Sequence, residues 1–299
     1  MKKIAIVIPT YNRKEALLRL LDCLKIQVNT FQNMEFRIIV VVDGSTDGTL
    51  EAIRTFSFPV EIIQGDGSWW WSRSVNEGCR KALGNNVTGI LLLNDDTRPA
   101  SDYLIQLAEA IETKPGAIIG SLNITDEATP KFFFSGVPRM QWVNGKPERY
   151  HPFLSPYQEE ISGMHESIIL TGRGMYIPSE VFEGNRLFDE KKFPQYKADY
   201  DFVLRAVKRH VPCYISWDMK VYVNAGSTGK GATFTRQGVA SFLSSCFNKY
   251  SRTGFSRNLV YYWRHYPRKV FFLFPITAVI VFARQICLFY KSLKYPKVS

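Results

Sequence analysis

Two apolar runs in this chain end abruptly in carboxylates. Leu91-Leu92-Leu93 is followed by Asn94-Asp95-Asp96-Thr97, and the apolar run at 38–42 is followed by Asp43-Gly44. Such runs predict buried strands, and open α/β sheets bind their ligands at the carboxyl ends of parallel strands. Two adjacent carboxylates there suit Mg²⁺ or Mn²⁺ carrying a diphosphate. A turn or a helix cap also explains Asn-Asp-Asp, so the metal interpretation needs support from the rest of the chain.

Strand and helix patterns alternate through the first 120 residues. Apolar runs predict strands, and apolar residues three and four positions apart predict helices. The predicted strands lie at 3–8, 36–42, 60–63 and 89–93, and the predicted helices lie at 14–25, 49–55, 74–83 and 101–113. This alternation is typical of an α/β fold with a doubly wound, mainly parallel (mixed) sheet flanked by helices. Later strands are predicted at 117–121, 131–135, 167–176, 212–217 and 219–223, and a helix at 200–208.

The positive charge of the chain is confined to its last part. The net charge is +11, but Met219 to Ser299 contains 13 Lys and Arg and no Asp or Glu, which leaves 25 basic and 27 acidic residues in 1–218. A nearly neutral body with a basic end predicts docking to a polyanionic surface. No nucleic-acid-binding motif accompanies the charge, so we expect no nucleic-acid partner.

The C-terminal segment is also apolar and aromatic, and a Gly-rich linker is predicted before it at 226–231. Its apolar run at 270–282 is followed by Arg284-Gln285 and falls short of the ~20 apolar residues that usually cross a bilayer. A helix lying on a membrane surface is predicted instead, because cations flank the run and aromatic residues precede it. These residues are Arg268, Lys269, Arg284, Lys291 and Lys294, with Tyr261, Tyr262, Trp263 and Tyr266. The alternative is a helical pair packed on the main domain.

The five cysteines are scattered and form no CxxC pair or Cys/His cluster. Neither a zinc site nor a disulfide framework is therefore expected, and a reducing cytosol fits this pattern. The apolar run after Met1-Lys2-Lys3 is too short for a signal-peptide core. It predicts the first strand instead.

Three blocks of the sequence resemble the inverting family-2 glycosyltransferases. They are Val7-Ile8-Pro9-Thr10-Tyr11-Asn12-Arg13, Val41-Val42-Asp43-Gly44-Ser45-Thr46-Asp47-Gly48-Thr49 and Asn94-Asp95-Asp96, in the order and spacing of that family. The resemblance implies a nucleotide-sugar-binding and catalytic domain of the GT-A fold over 1–225. Residues 226–299 would then form a helical, basic, membrane-associating region.

The resemblance implies a donor site that begins at the turn after the first strand. Pro9, Thr10 and Tyr11 would line a pyrimidine pocket, and Arg13 would lie near the diphosphate. Asp43 would accept a hydrogen bond from the base. The alternative is that these residues are present because Asp and Gly are preferred in turns, which explains Gly44 and Asp47 better than Asp43. For Asn12 a helix-capping role is favoured.

A Gly-rich loop with three consecutive tryptophans is the next part of the implied donor site. Asp66 and Arg73 become donor-site candidates through the resemblance. Three adjacent Trp side chains cannot all face one core, and an exposed ring can pack on sugar CH groups. We assign that role to Trp70, and core packing is favoured for Trp69 and Trp71.

The remaining residues implied by the resemblance would coordinate the metal and accept the proton. Asp96 would coordinate a divalent ion, Mg²⁺ or Mn²⁺, with Asp95 near the ribose or the metal. Asp199 would be the general base, and Arg173 would contact a phosphate or the acceptor. Capping of the helix N-terminus is the alternative explanation for Asp199. Ala198 stands where the family usually has Glu. For Asp201, in the same segment, a cap or structural role is favoured.

We therefore predict a metal-dependent inverting glycosyltransferase acting in bacterial surface polysaccharide assembly. The donor would be a dTDP- or UDP-sugar, with dTDP-rhamnose as the leading expectation, and the acceptor a glycan or lipid-linked glycan at the cytoplasmic face of the cell membrane. Two alternatives remain, a non-catalytic nucleotide-sugar-binding partner of a glycan-assembly complex and a sugar-phosphate nucleotidyltransferase. Ala198 and Asn224, which replace usual family residues, favour the first alternative. A homo-oligomer is left open.

Overall fold

A computed structural model describes residues 1–30, 34–224, 239–251 and 254–293 of the chain. The predicted domain boundary at residue 225 and the predicted linker at 226–231 lie outside the described residues. The strands are β1 (Lys2–Thr10), β2 (Met34–Asp43), β3 (Val60–Gly65), β4 (Gly89–Leu92), β5 (Thr97–Pro99), β6 (Ile118–Thr125), β7 (Phe132–Phe134), β8 (Arg139–Gln141), β9 (Lys146–Glu148), β10 (Met164–Glu166), β11 (Met175–Pro178) and β12 (Cys213–Val223). The helices are α1 (Lys14–Thr30), α2 (Thr49–Arg54), α3 (Trp70–Gly84), α4 (Tyr103–Thr113), α5 (Ser179–Asn185), α6 (Ala198–Val207), α7 (Val239–Phe247), α8 (Phe255–His265) and α9 (Phe274–Leu293), with a 3₁₀ turn at Arg268–Leu273.

The large sheet has the order β10-β12-β6-β11-β4-β1-β2-β3, with β5 paired to β12 and β7 paired to β6. β1 pairs in parallel with β2 and β4, and β2 pairs in parallel with β3. β11 runs antiparallel between β4 and β6. The predicted α/β class with a mainly parallel, mixed sheet is confirmed, and its parallel strands place their carboxyl ends at one edge.

Hydrophobic cores lie on both faces of this sheet. Successive strand residues point to opposite faces, so Ile4 and Ile6 pack with α1 while Ala5 and Val7 pack with α3. α1 buries Leu17, Leu20, Leu21 and Leu24, the spacing of a helix with one apolar face. Central strands buried on both faces explain why the first two strands are continuous apolar runs.

The predicted strand at 167–176 is wrong for most of its length. Only the segment from Met175 onward is a strand, and residues 167–174 form a loop that ends at the carboxyl edge of β4. Gly174 has a φ of +86°, which a regular strand excludes. The Asn123 side chain donates to the Arg173 carbonyl at 3.0 Å, so a side chain replaces a strand partner there. The two strands predicted at 212–217 and 219–223 are one strand, β12, with a register irregularity between Ser216 and Lys220.

Helix α8 packs against the sheet domain. Tyr261, Tyr262 and Tyr266 are 1%, 6% and 4% exposed, so their predicted position at membrane headgroups is wrong. The Tyr262 hydroxyl donates to the Gly145 carbonyl at 2.8 Å. Trp263 is 62% exposed and remains the aromatic residue of this group that faces outward.

Helix α9 is continuous through Arg284-Gln285, which the sequence analysis treated as an interruption. Arg268–Cys287 is therefore long and apolar enough to cross a membrane by length and composition, contrary to our expectation that the run falls short. One face of the helix is anchored, because Thr277 donates to the carbonyls of Trp142 and Val143 at 3.1 and 3.0 Å. The opposite face is exposed and apolar and carries Ile276, Val279, Phe282 and Tyr290, and Phe272 is exposed in the preceding 3₁₀ turn.

A buried carboxylate joins α6 to α8. Asp201 is fully buried and accepts hydrogen bonds from Arg205, Arg264 and His265 at 2.9, 2.9 and 2.8 Å. Burial by itself raises the pKa of Asp201, but the bonds from His265 and the arginines outweigh it and lower the pKa. The structural role favoured for Asp201 agrees with these contacts.

Replacing Asp201 by Ala removes the carboxylate that Arg205, Arg264 and His265 share, although Arg264 keeps its ion pair with Asp189. We expect Asp201→Ala to lower the free energy of unfolding by about 3–5 kcal/mol, the usual cost of breaking a buried ion pair on one side. The matched control is Asp126→Ala, which removes a half-exposed pair with Arg98 and should cost about 1 kcal/mol or less. Chemical denaturation of both variants measures the difference, and equal losses would contradict the anchoring role of Asp201.

Candidate active site

The acids that follow β4 meet an arginine from the turn after β1. Arg13 Nη1 lies 2.9 Å from Asp95 Oδ1 and 2.8 Å from Asp96 Oδ2. Both carboxylate side chains are only 6% exposed. Burial raises the pKa of Asp95 to about 6, with Arg13 opposing the rise and Asp96 adding to it. The structure thus brings together three of the predicted site residues at the sheet edge.

This pair of carboxylates suits a divalent ion that a substrate completes. Among the described residues there is no group of three or more His, Cys, Asp or Glu that could hold a metal without further ligands. Mg²⁺ typically takes one or two carboxylates and fills its remaining positions with water and substrate phosphates. Asp96 and Asp95 fit that pattern, and Arg13, which pairs with both, is placed to meet the same phosphates.

The turn after β1 is fastened to the turn after β2. Asn12 Oδ1 accepts a hydrogen bond from the Thr46 backbone amide at 2.7 Å, and the Asn12 backbone amide donates to Ser45 Oγ at 3.0 Å. The capping role expected of Asn12 belongs instead to Asp47, which accepts from the Lys14 amide at the start of α1 at 2.9 Å. Pro9 and Thr10 are buried at the strand end, and Tyr11 is 52% exposed beside them.

Asp43 holds the Trp-rich loop in place. Its carboxylate accepts from the backbone amides of Gly67, Trp69 and Trp70 at 2.8, 2.9 and 3.1 Å. Gly44 has a φ of +67°, and a Cβ there would lie 2.6 Å from the Gly67 backbone, so the two turns can meet only at glycine. The contact of Asp43 with a nucleotide base stays a prediction. Its hydrogen bonds to the three backbone amides determine the conformation of the loop.

The three tryptophans of that loop have three different environments. Trp70 is 44% exposed, has a φ of +57° and stacks on Tyr250 at 4.5 Å between ring centroids. The Arg73 guanidinium lies over the Trp69 ring at 4.8 Å. Exposed Asp66 accepts from the Ser68 amide at 2.9 Å. Asp66, Trp70 and Arg73 therefore lie on the outer part of the loop.

Trp71 packs against the hydrophobic core, as predicted, and its indole also reaches the residue before the strand-end acids. Its indole Nε1 donates to Asn94 Oδ1 at 2.9 Å, directly before the two acids. A Cβ on Gly172 would lie 2.3 Å from the Trp71 ring, so glycine is required for this approach. In the sequence, the glycines on either side of Arg173 indicate such a close contact, because packing of a backbone against a large ring needs glycine.

The loop at 171–174 connects the acids after β4 to the predicted base. The Gly172 amide donates to Asp199 Oδ2 at 3.3 Å, and Arg173 Nε lies 4.0 Å from Asp96 Oδ1. Asp199 lies in the first turn of α6. Burial raises the pKa of Asp199, while backbone hydrogen bonds from Tyr200 and Gly172 and the charge of Arg173 oppose the rise. Asp96 and Asp199 therefore contact adjacent residues of one loop.

Comparison with known proteins gives a family match and a fold match. Residues 5–162 match the family described as Glycosyl transferase family 2. A dolichol-phosphate mannosyltransferase of Pyrococcus furiosus is 30% identical over 121 residues, which are 40% of this chain and 33% of that protein. An uncharacterized glycosyltransferase of Haemophilus influenzae is 29% identical over 112 residues, 38% of this chain and 35% of that protein. The chain thus spans about a third of the length of these two relatives.

Solved structures resemble nearly the whole chain in fold. TarS 1-349 of S. aureus in complex with UDP-GlcNAc has a TM-score of 0.59 at 16% identity and covers 98% of this chain and 91% of its own. The mannosyltransferase PcManGT of Pyrobaculum calidifontis in complex with GDP-Man and Mn²⁺ has a TM-score of 0.57 at 12% identity and covers 97% and 72%. The expected GT-A fold is confirmed.

The raised pKa of Asp199 predicts a stabilising substitution. A carboxyl whose pKa is raised by folding costs stability in its charged form, and this cost disappears as the pH falls through the raised pKa. Asp199→Asn should therefore raise the melting temperature at pH 7.5, and its advantage should shrink in acid. Asp22→Asn, on the exposed face of α1, should change stability by about 0.5 kcal/mol or less. A lower melting temperature for Asp199→Asn at pH 7.5 would contradict the buried, charged state.

Proposed function

Because the chain belongs to glycosyl transferase family 2, we propose that it is a metal-dependent inverting glycosyltransferase. It moves a sugar from a nucleoside diphosphate sugar to a hydroxyl of a glycan acceptor. The observation that carries this proposal is the loop at 171–174, which contacts Asp199 through Gly172 and approaches Asp96 through Arg173. Adjacent residues of one loop would then contact both the diphosphate-binding end and the base.

The residues of the site divide the reaction between them. The acceptor hydroxyl attacks the anomeric carbon from the side opposite the diphosphate, and Asp199 takes the hydroxyl proton as the new bond forms. The negative charge on the departing diphosphate is met by Arg13 and Arg173, which lie beside the two strand-end acids. Attack opposite the leaving group inverts the anomeric configuration.

Asp96, with Asp95 beside it, would hold Mg²⁺ or Mn²⁺. The bound ion would supply further positive charge to the leaving diphosphate. Support comes from the two buried carboxylates at the strand end and from the Mn²⁺ named for the similar structure of PcManGT. Because the pKa of Asp95 is raised to about 6, metal affinity should increase as the pH rises through that value.

The nucleotide would lie against the joined turns after β1 and β2. Tyr11 is exposed there, and Asp43 holds the adjacent Trp-rich loop. TarS and PcManGT are described in complex with UDP-GlcNAc and GDP-Man, which supports a nucleotide-sugar donor of this general kind. Within that class we retain dTDP- or UDP-sugars as donors, with dTDP-rhamnose first among them.

The acceptor would be a glycan or lipid-linked glycan in bacterial surface polysaccharide assembly, at the cytoplasmic face of the cell membrane. The exposed apolar face of α9 supports membrane contact, because an apolar helix face of this length is unusual on a surface that meets only water. Exposed Arg268 and Lys269 in the 3₁₀ turn that precedes α9 add attraction to anionic lipids. Since Thr277 anchors the helix to the domain, we favour a helix lying on the membrane.

Of the alternatives, the non-catalytic nucleotide-sugar binder is the one that experiment must distinguish from the proposed enzyme. It rests on Ala198 and Asn224, which replace residues usual in the family. The sugar-phosphate nucleotidyltransferase has no support from the family match.

Turnover can be measured as nucleoside diphosphate release from a panel of nucleotide sugars containing dTDP-rhamnose, UDP-GlcNAc and GDP-mannose, with Mn²⁺ and a glycan acceptor. We expect one donor to be turned over and Asp199→Asn to lower kcat about 10²–10⁴-fold, the usual contribution of a general base. Donor binding should persist in that variant. Asp96→Asn should instead weaken donor binding in Mn²⁺.

Asp22→Asn, which removes an exposed carboxylate on α1, is the control and should keep wild-type turnover. Equal turnover by Asp199→Asn and wild type would exclude Asp199 as the base. Binding of nucleotide sugars without release of diphosphate under all conditions would favour the non-catalytic binder.

Membrane contact is tested by sedimentation with phosphatidylglycerol–phosphatidylcholine vesicles. Val279→Glu should reduce vesicle affinity about tenfold or more, because it removes a valine that contributes about 1.5–3 kcal/mol when buried. Ile26→Glu on α1 is the matched control, since Ile26 and Val279 are both 68% exposed. Equal sedimentation of the two variants would contradict docking through α9.

A further inference from the structure

A single nitrogen of Arg13 contacts both of the acids that follow β4. Arg13 Nη1 lies 2.9 Å from Asp95 Oδ1 and 2.8 Å from Asp96 Oδ2. These are the short distances of charge-assisted hydrogen bonds. Because one atom contacts two carboxylates, these two oxygens share one cation that belongs to the protein itself.

The same two oxygens are the ones that suit a divalent ion. Carboxylates hold Mg²⁺ at about 2.0–2.1 Å, which is closer than Arg13 lies to either acid. An ion bound to Asp95 Oδ1 and Asp96 Oδ2 would lie next to Arg13 Nη1, and like charges at such short range repel strongly. Both carboxylate side chains are 6% exposed, so little water screens this repulsion. Arg13 and the ion therefore exclude each other from these two oxygens, and other contacts of the side chains do not change that exclusion.

Arg13 is also placed to take a different partner. Its side chain is 35% exposed, so it reaches solvent where the two acids do not. It lies in the turn after β1, at the edge of the sheet where the donor diphosphate would bind. A guanidinium pairs with phosphate as well as with carboxylate. Arg13 can therefore leave the acids for a phosphate and keep a charged partner.

Arg173 is the second cation beside Asp96, and its contact is of another kind. Its Nε lies 4.0 Å from Asp96 Oδ1, the carboxylate oxygen that is not bonded to Arg13 Nη1. That distance is too long for a hydrogen bond, and Arg173 Nε makes no hydrogen bond among the described residues. Arg173 thus acts on Asp96 through its charge, whereas Arg13 acts through direct bonds.

We propose that Arg13 competes with the divalent ion for Asp95 and Asp96, and that the donor diphosphate ends this competition by binding Arg13. Arg13 is then a positioning residue that couples metal binding to donor binding. This inference rests on the proposed function, which supplies both the metal and the donor. The metal alone binds weakly, because it must displace Arg13 from the acids. The diphosphate strengthens metal binding, and by linkage the metal strengthens diphosphate binding by the same factor.

Affinity for Mn²⁺ in the absence of nucleotide tests the competition directly. Electron paramagnetic resonance of free Mn²⁺ measures this affinity for the full chain. Arg13→Gln should raise it about tenfold or more, because the ion no longer displaces a charged hydrogen-bond donor. Arg173→Gln should raise it by a smaller factor, since it removes a nearby charge but no bond to the acids.

Two results of this titration would contradict the proposal. An unchanged or lower Mn²⁺ affinity in Arg13→Gln would mean that the ion binds without displacing Arg13, for example at Asp96 Oδ1. Equal gains in Arg13→Gln and Arg173→Gln would mean that positive charge alone, and not the shared oxygens, governs the affinity.

Two further variants control for position and for folding. Arg37→Gln removes an arginine that pairs with Glu35 at 3.0 Å toward the amino end of β2, and it should bind Mn²⁺ like wild type. Arg13→Lys keeps a positive charge beside the acids on a side chain that is one atom shorter. Its Mn²⁺ affinity should lie between those of wild type and Arg13→Gln. If melting curves show that Arg13→Gln does not fold, the absence of any gain in Arg13→Lys would refute the competition.

The coupling is measured by repeating the Mn²⁺ titrations with UDP and with GDP, after correction for the Mn²⁺–nucleotide complex formed without protein. In wild type at least one nucleotide should strengthen Mn²⁺ binding about 5- to 150-fold, the usual range for coupled sites. The factor should be smaller in Arg13→Gln, because no arginine is left to change partners. Equal factors in the two proteins, or no strengthening by either nucleotide, would overturn the coupling.

These measurements are independent of sugar transfer. An inactive protein that shows the gain in Arg13→Gln would refute the proposed reaction but not the role of Arg13. An active transferase in which wild type and Arg13→Gln bind Mn²⁺ equally would refute the role of Arg13 but not the reaction.

Discussion

The contact of one loop with two carboxylates organises the active side of this protein. Gly172 donates to Asp199, Arg173 approaches Asp96, and the ring of Trp71 packs where only a glycine fits. The loop reaches this position because β11 runs antiparallel between β4 and β6, so the chain enters β11 at the edge where the acids lie. The proposed metal ligand and the proposed base therefore contact one loop although they are far apart in sequence.

The second constraint is the balance of buried charge. Arg13 compensates Asp95 and Asp96, and Arg205 and Arg264 compensate Asp201, which is also hydrogen-bonded to His265. The bonds that Asp201 accepts from Arg264 and His265 anchor α8 to α6.

The parts of the fold that sequence could predict are those that local patterns determine. Apolar runs mark β1, β2 and β4, and the acids that directly follow the runs of β2 and β4 mark their ends. The position of Asp199 is marked by the helix that begins beside it. The loop at 167–174 could not be predicted, because its conformation depends on the Asn123 side chain and on Asp199. Tyr261 and Tyr262 were misplaced for a similar reason. A helix that lies on a membrane and one that packs on a domain have the same aromatic pattern, and the choice depends on the bond between Arg264 and distant Asp201.

The proposed reaction requires Asp96 and Asp199 to face the same bound sugar. A crystal structure of Asp199→Asn with Mn²⁺ and the nucleotide sugar that the donor panel identifies tests this most directly. We predict the metal bound to Asp96, the diphosphate between Arg13 and Arg173, and the anomeric carbon open toward residue 199. A sugar whose anomeric carbon faces away from residue 199, or a metal bound without Asp96, would contradict the account.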